Sequence, residues 1–213
     1  MKKTLMVVGV LVALVVVALG ILVATFKPAQ RPPSAERIEA TPERIARGRY
    51  LVEHVTDCFG CHADRDWSRY GGPLAGPPGA GSRDCLTTEH DAPGQICFPN
   101  ITQDAEKGIG SWTDGEILRA LREGVDRDGK ALFPMMPYED YRHLSDDDAG
   151  AVVAYLRTLP PAASTPPETR IDFPVSFLIK MAPEPLAGPV PVVDAADSVR
   201  YGEYLTWVGG CHF

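Results

Sequence analysis

With 213 residues and a formal charge of −7, the chain can hold one domain of ordinary size with something extra at each end. Its acidity argues against nucleic acid or an acidic surface as a partner, and a basic docking patch on another protein would complement it.

The run 5–26 carries no charge. At about 1.5 Å per residue it would form a helix roughly 33 Å long, enough to cross a hydrocarbon core of about 30 Å. A cleaved signal peptide is the competing reading. Its apolar region is usually about 7–15 residues and ends at a small-x-small site, which Val23-Ala24-Thr25 fits poorly. Residues 1–26 are therefore expected to be an uncleaved membrane anchor rather than a signal sequence. Lys2 and Lys3 precede the run, and positive charge stays inside, so the rest of the chain should face the periplasm from a bacterial inner membrane.

Residues 27–40, with three prolines and mixed charges, suit a semi-extended tether holding the domain off the bilayer. Thr41 then reads as an N-cap with Pro42 at the first helical position. Ile45, Gly48, Val52 and Val55 follow at helical spacing, in a helix expected to lead straight into the next motif.

That motif is Cys58-Phe59-Gly60-Cys61-His62. Two thiols three positions apart on one helical turn can each reach a vinyl group on the same edge of a porphyrin, and the histidine that follows falls under the iron. Covalent attachment of haem c through Cys58 and Cys61, with His62 as an axial ligand, is the expectation. A thioredoxin-like pair would need a βαβ pattern around it, and a zinc site a second pair of ligands at suitable spacing; neither is found.

The stretch 63–110 is crowded with glycine and proline and has little periodicity, as expected of a segment that wraps a cofactor edge. Within it, Cys85 and Cys97 can pair in an oxidising compartment, closing a short loop worth about 2–3 kcal/mol; two buried free thiols are the alternative. Asn100-Ile101-Thr102 matches a glycosylation sequon but reads better as a backbone turn. Thr113-Asp114-Gly115-Glu116 is a capping box opening a helix that runs to Gly124. Ser145 starts another, with Val152, Val153, Leu156 and Leu159 on its apolar side and Pro160 as its stop. Asp146, Asp147 and Asp148 serve there as negative charge at a positive helix end, not as a metal site.

Between these helices lies Leu132-Phe133-Pro134-Met135-Met136-Pro137-Tyr138. A thioether on a proline-stiffened loop is a soft ligand for haem iron, so Met135 or Met136 is expected opposite His62, although methionine is more commonly core filler. His54, His90 and His143 are the weaker alternatives as ligands.

Asn100-Ile101-Thr102-Gln103-Asp104, Gly108-Ile109-Gly110-Ser111-Trp112-Thr113, Met136-Pro137-Tyr138 and Tyr155-Leu156-Arg157 together resemble the cytochrome c subunits of membrane-bound periplasmic dehydrogenases for alcohols, gluconate or related polyols. The resemblance covers about residues 41–180 and continues to the end of the chain. It implies a mostly α fold, a class I cytochrome c domain at 41–160 preceded by one transmembrane helix, whose first and last helices cross with Gly48 giving Tyr155 close approach. It implies Met136, over Met135, as the sixth iron ligand. It also implies electron transfer from a periplasmic dehydrogenase catalytic subunit toward quinone or a terminal oxidase, in a non-catalytic subunit. A haem enzyme or gas sensor with an open axial position is the alternative, and a subunit that chiefly tethers a dehydrogenase is a third reading. Cys85 and Cys97, and the anchor at the amino end, depart from the family pattern.

Residues 161–191 read as a Pro-rich linker in which 173–177 could pack on a neighbouring domain or on the membrane surface. Beyond it, Tyr201-Gly202-Glu203-Tyr204-Leu205 echoes Arg47-Gly48-Arg49-Tyr50-Leu51, and Cys211 stands where a second haem motif would begin. Residues 192–213 are thus expected to be the start of a second, truncated cytochrome c domain, with at least two haems in the intact protein. The bland alternative is a natural tail in which Cys211 is a free or intermolecular thiol and His212 is incidental.

Overall fold

Short-range side-chain chemistry starts each main helix of the computed structural model, which describes residues 2–211. Helix α1, Lys2–Thr25, is long and apolar enough to cross a membrane, and none of its residues is buried against the rest of the protein. Helix α2, Pro42–Tyr50, begins where Thr41 Oγ1 accepts the Arg44 N–H (3.2 Å). After a single turn, α3 (Cys58–Cys61), comes α4, Asp114–Glu123, with Thr113 and Glu116 forming a reciprocal capping box. Another single turn, α5 (Tyr138–Tyr141), leads to α6, Asp146–Leu156, where Ser145 Oγ accepts the Asp148 N–H (3.1 Å). A single turn, α7 (Val175–Leu178), and then an 11-residue helix, α8 (Ser198–Val208), follow.

The core forms where α2 crosses α6. A Cβ added at Gly48 would lie 1.9 Å from the Ala151 carbonyl oxygen and 2.8 Å from Tyr155 Cβ, so only glycine lets the two backbones approach this closely. Leu51, Val52, Val152, Val153 and Leu144 are fully or almost fully buried around this crossing, each contributing about 1.5–3 kcal/mol of burial for the larger side chains. Helix α4 closes the cluster with Ile117 and Leu121, and α8 adds Tyr204 and Val208.

Two irregular segments lie on the domain. Residues 27–40 contain no helix or strand and, unlike a spacer, are strapped along α4. Pro28 is buried, Arg31 pairs with Glu123 (2.6 Å), the Ile38 N–H donates to Asp114 Oδ2 (2.9 Å), and the Ile38 side chain packs against the core. Residues 161–173 return along the glycine-rich stretch. Strand β1 (Gly94–Gln95) pairs antiparallel with β2 (Arg170–Ile171), Gly94 opposite Ile171, and Asn100 donates to the Ala162 carbonyl (2.7 Å). Asn100 also accepts from the N–H and hydroxyl of Thr102, so its amide is buried inside a turn.

Candidate functional site

The helix that leads toward the two thiols does not run straight into them. After Tyr50 it widens into one π-helical turn, Leu51–Val55, ended by the Thr56 N–H and hydroxyl, which both donate to the Leu51 carbonyl (2.8 and 3.0 Å). Asp57 then takes a left-handed conformation (φ 41°), and α3 begins. The extra residue in the turn satisfies the chain's need to keep Leu51 and Val52 inward while redirecting the next turn. It also leaves Thr56 Oγ1 hydrogen-bonded to Cys58 Sγ at 3.2 Å. Within α3, a Cβ at Gly60 would lie 2.4 Å from the Asp57 carboxylate, an exposed side-chain end that would have to swing aside.

Cys58 and Cys61 stand unbridged on this turn, Cys58 partly buried and Cys61 exposed. Burial pushes the Cys58 thiol up to about 11, with Asp57 and Cys61 adding to the rise and the Thr56 hydrogen bond opposing it. A dithiol redox pair relies on a lowered thiol pKa, so this environment does not suit that chemistry. Phe59 turns inward between them, its ring 6.5 Å from that of Tyr155.

His62 closes the motif and hydrogen-bonds through Nδ1 to the Pro99 carbonyl at 2.8 Å. That carbonyl can only accept, so Nδ1 carries the proton and the Nε2 lone pair is left for a metal. Burial lowers the imidazole pKa, and the neutral form is the one that ligates.

The methionine loop hangs between α4 and α5. The Leu132 N–H donates to the Gly124 carbonyl (2.8 Å), and Met136 N–H to the Phe133 carbonyl (3.0 Å). Met136 is partly buried against the core, close in sequence to the wholly buried Tyr138; Met135 is 44% exposed. Met135, Pro134, Thr56, Tyr141 and the Gly209-Gly210 end of α8 line a cavity of about 410 Å³.

Several side chains that frame the site were missed in the sequence. The Tyr141 hydroxyl donates to the Thr56 carbonyl (3.0 Å), and burial, with the neighbouring Cys58 and Cys61 thiols, raises its phenol far above the usual range. Its signal was an aromatic one helical turn after Tyr138. Arg65 stacks near Trp67 (5.9 Å) and reaches Asp57 (3.8 Å), while its Nε is buried with no hydrogen-bond partner among the described residues. Arg157 joins the end of α6 to the loop before α4. It donates to Asp114 Oδ1 (2.9 and 2.7 Å), to Gln103 Oε1 (3.1 Å) and to the Trp112 carbonyl (2.5 Å).

The remaining candidates have other positions. Cys85 and Cys97 are joined in a disulfide with Cα atoms 4.4 Å apart. His54 lies against Tyr50, His90 caps its own turn at Thr87, and His143 stacks on Trp207 (4.7 Å). Asp146 pairs with Arg122 (2.7 Å), and Asp148 with Arg47. Cys211 is exposed and unbridged; His212, and the rest of any second motif at Phe213, lie outside the described residues.

These features fit a haem. Two thiols share one turn, a neutral histidine has its Nε2 free, a methionine sits on a stiffened loop, and an orphaned guanidinium nitrogen is left for an anionic edge.

Comparison with known proteins points the same way. The family model for cytochrome c matches residues 45–160. The chain is 32% identical over 161 residues to the cytochrome c subunit of a quinone alcohol dehydrogenase of Gluconobacter oxydans, covering 75% of this chain and 30% of that relative. It is 31% identical over 142 residues to the gluconate 2-dehydrogenase cytochrome c subunit of Pantoea cypripedii, covering 65% of this chain and 29% of the relative. It is also 32% identical over 163 residues to a dihaem c-type cytochrome of Cereibacter sphaeroides, covering 73% and 52%. The chain thus spans less than a third of the length of the two dehydrogenase subunits.

Proposed function

This chain belongs to the cytochrome c family, and from that premise we propose that it carries electrons as the haem subunit of a membrane-bound dehydrogenase complex. The family's covalently bound haem c supplies a one-electron couple. Cys58 and Cys61 hold it by thioethers. His62 Nε2 and the Met136 sulfur, rather than that of Met135, would ligate its iron. The observation that carries this reading is the His62 Nδ1 to Pro99 hydrogen bond, which orients the imidazole and fixes its tautomer before any metal arrives. With both ligands supplied by the protein, no site would be left on the iron for substrate, so transfer would be outer-sphere. Phe59 and Tyr141 limit water around the two attachment positions.

The likeness to cytochrome c subunits of an alcohol and a gluconate dehydrogenase supports a dehydrogenase catalytic subunit as donor, which we place in the periplasm, and we propose quinone or a terminal oxidase as acceptor. In this reading α1 anchors the chain in the inner membrane and the domain faces the periplasm, supported by the length of α1, by a mean hydropathy of 3.2 over an 18-residue window of it, and by Lys2 and Lys3 before its apolar run. We also propose that residues 192–213 open a second cytochrome c domain with Cys211 as its first haem cysteine. The repeat supports this, and so does Gly202. It occupies the position of Gly48, yet a Cβ there would meet nothing within 4 Å, which leaves α8 a face shaped for a helix of its own. A haem-per-chain ratio of two or more in the product of the whole gene is the expected result; a ratio of one would remove the second domain.

The test of the central reading is the optical spectrum of the haem-loaded full chain, ferric and ferrous, with and without carbon monoxide. A low-spin haem with a far-red sulfur-to-iron band and no carbon monoxide uptake is expected. A high-spin haem that takes up carbon monoxide would instead make it a haem enzyme or gas sensor.

A further inference from the structure

The stretch 173–177, which the sequence left between a neighbouring domain and a membrane surface, lies with the residues up to 181 at the exit of α1. The Phe177 ring is 5.4 Å from that of Phe26, the residue that follows α1. Around this contact Phe173 is 73% exposed, Leu178 49% and Met181 56%. Three large apolar side chains on one short segment, beside the end of a helix of membrane length, form an edge suited to the boundary between headgroups and acyl chains.

Next to this edge opens a cavity of about 590 Å³, and Phe26, Ser176 and Ile179 form part of its wall. Its charged lining is Lys27, Arg119, Arg127, Lys130 and Lys180 against the single carboxylate of Asp128. On a chain whose net charge is −7, that local balance is reversed. The arginines are held in place. Arg127 donates to Ser111 Oγ (2.9 Å), and Arg119, 6% exposed, is fastened through its Nη groups to the carbonyls of Arg31 (3.3 Å) and Asp126 (2.5 Å). Arg119 Nε remains buried with no hydrogen-bond partner, and Lys27, Lys130 and Lys180 form no ion pair among the described residues. Lys27 and Lys130 are exposed and Lys180 is half-buried, so their ammonium groups stand available beside the anchored Arg119 and Arg127, and an anion seated among them would gain several charge-assisted hydrogen bonds at once.

We propose that this cavity binds the phosphate headgroup of an anionic phospholipid in the leaflet that α1 enters, with Phe173, Leu178 and Met181 dipping into the acyl boundary beside it. The inference rests on the reading of α1 as a membrane anchor. A free phosphate would use the same cations, but the anchor holds the cavity at the bilayer surface, where headgroups stand at high effective concentration and a modest intrinsic affinity suffices. The apolar edge has no use for a free anion.

The experiment uses the haem-loaded full chain in two arms. It is reconstituted into nanodiscs of phosphatidylcholine with or without phosphatidylglycerol, and lipids retained after detergent release are counted by native mass spectrometry. One phosphatidylglycerol retained in preference to phosphatidylcholine is expected. The double variant Lys130→Gln, Lys180→Gln, which removes two unpaired cations and no packing core, should lower that preference by about tenfold or more. Equal retention of both lipids by a chain that does enter the nanodisc overturns the headgroup site and leaves the anchor standing. Failure to enter any nanodisc overturns the anchor, and the site with it. A preference unchanged in the double variant moves the site elsewhere, and loss of the retained lipid to excess inorganic phosphate makes it a free-anion site.

Discussion

His62 owes its tautomer to a carbonyl 37 residues away, and the proposed second ligand has no such hydrogen bond to its side chain. Met136 is placed by its loop, with the Phe133 turn behind it and Pro137 after it, and by packing against the core. Met136→Ala is therefore expected to abolish the far-red sulfur-to-iron band and to open the iron to carbon monoxide, while Met135→Ala, at a side chain 44% exposed, should leave both unchanged. The reverse pattern would assign the sulfur to Met135. Arg157 matters in a different way. Its side chain and that of Asp114 are 23% and 14% exposed, and the same guanidinium serves Gln103 and the Trp112 carbonyl. Arg157→Met should lower stability by about 2–4 kcal/mol, because it leaves the Asp114 carboxylate unpaired in a partly dry site. Urea unfolding followed by far-UV dichroism would read this as a fall in midpoint with little change in slope.

Among the elements, the α2–α6 crossing and α8 form a matched pair for experiment. Gly48→Ala drives a methyl into the Ala151 carbonyl, which cannot rotate away, so a loss of about 3 kcal/mol or more is expected. Gly202→Ala meets open space and should be neutral or stabilising by up to about 1 kcal/mol, since alanine favours a helix. Thermal melts of the two variants would give the comparison directly. Packed against a helix of a second domain, Gly202 would instead be as intolerant of alanine as Gly48. The main helices could be read in advance because their signals are local: Thr41 with Pro42, Thr113 with Glu116, and Ser145 each satisfy backbone N–H groups within one turn. The cysteine motif is local as well. What escaped reading was whatever depends on contacts remote in sequence. The π-turn before Cys58 answers to the burial of Leu51 and Val52, Tyr141 is aimed by the Thr56 carbonyl, and the strap at 27–40 is held by Glu123 and Asp114. Proline content marked 27–40 and 161–191 as extended, but composition does not say what an extended segment lies against.

For the whole molecule, the segments without helix carry much of the cohesion. The Cys85–Cys97 bridge closes a loop of separation 12 beside the β1–β2 ladder, and the Cys97 N–H and carbonyl both bond the Thr169 hydroxyl. Replacing both cysteines by alanine should cost about 2–3 kcal/mol and loosen the 161–173 return from the domain, visible as faster amide exchange at 94–97 and 169–171. Unchanged exchange there would confine the bridge's effect to its own loop. At the other end, α8 is fastened to the same helices by a polar junction. Arg47 binds Asp148 through two bonds of 2.7 Å and Tyr201 at 3.0 Å, and the Tyr204 hydroxyl donates to Asp148 at 2.6 Å.

The strap along α4 bears on how encounters with other proteins proceed. Phe26 leans on Phe177, Pro28 is buried and Arg31 is bound to Glu123, so hardly any slack remains between the end of α1 and the body of the domain. With α1 in a bilayer, the domain would present one azimuth to the plane instead of tumbling at the end of a leash. A partner sharing that bilayer then searches in two dimensions for a surface already turned toward it. Much of the rotational entropy that docking normally forfeits would have been surrendered when the chain folded.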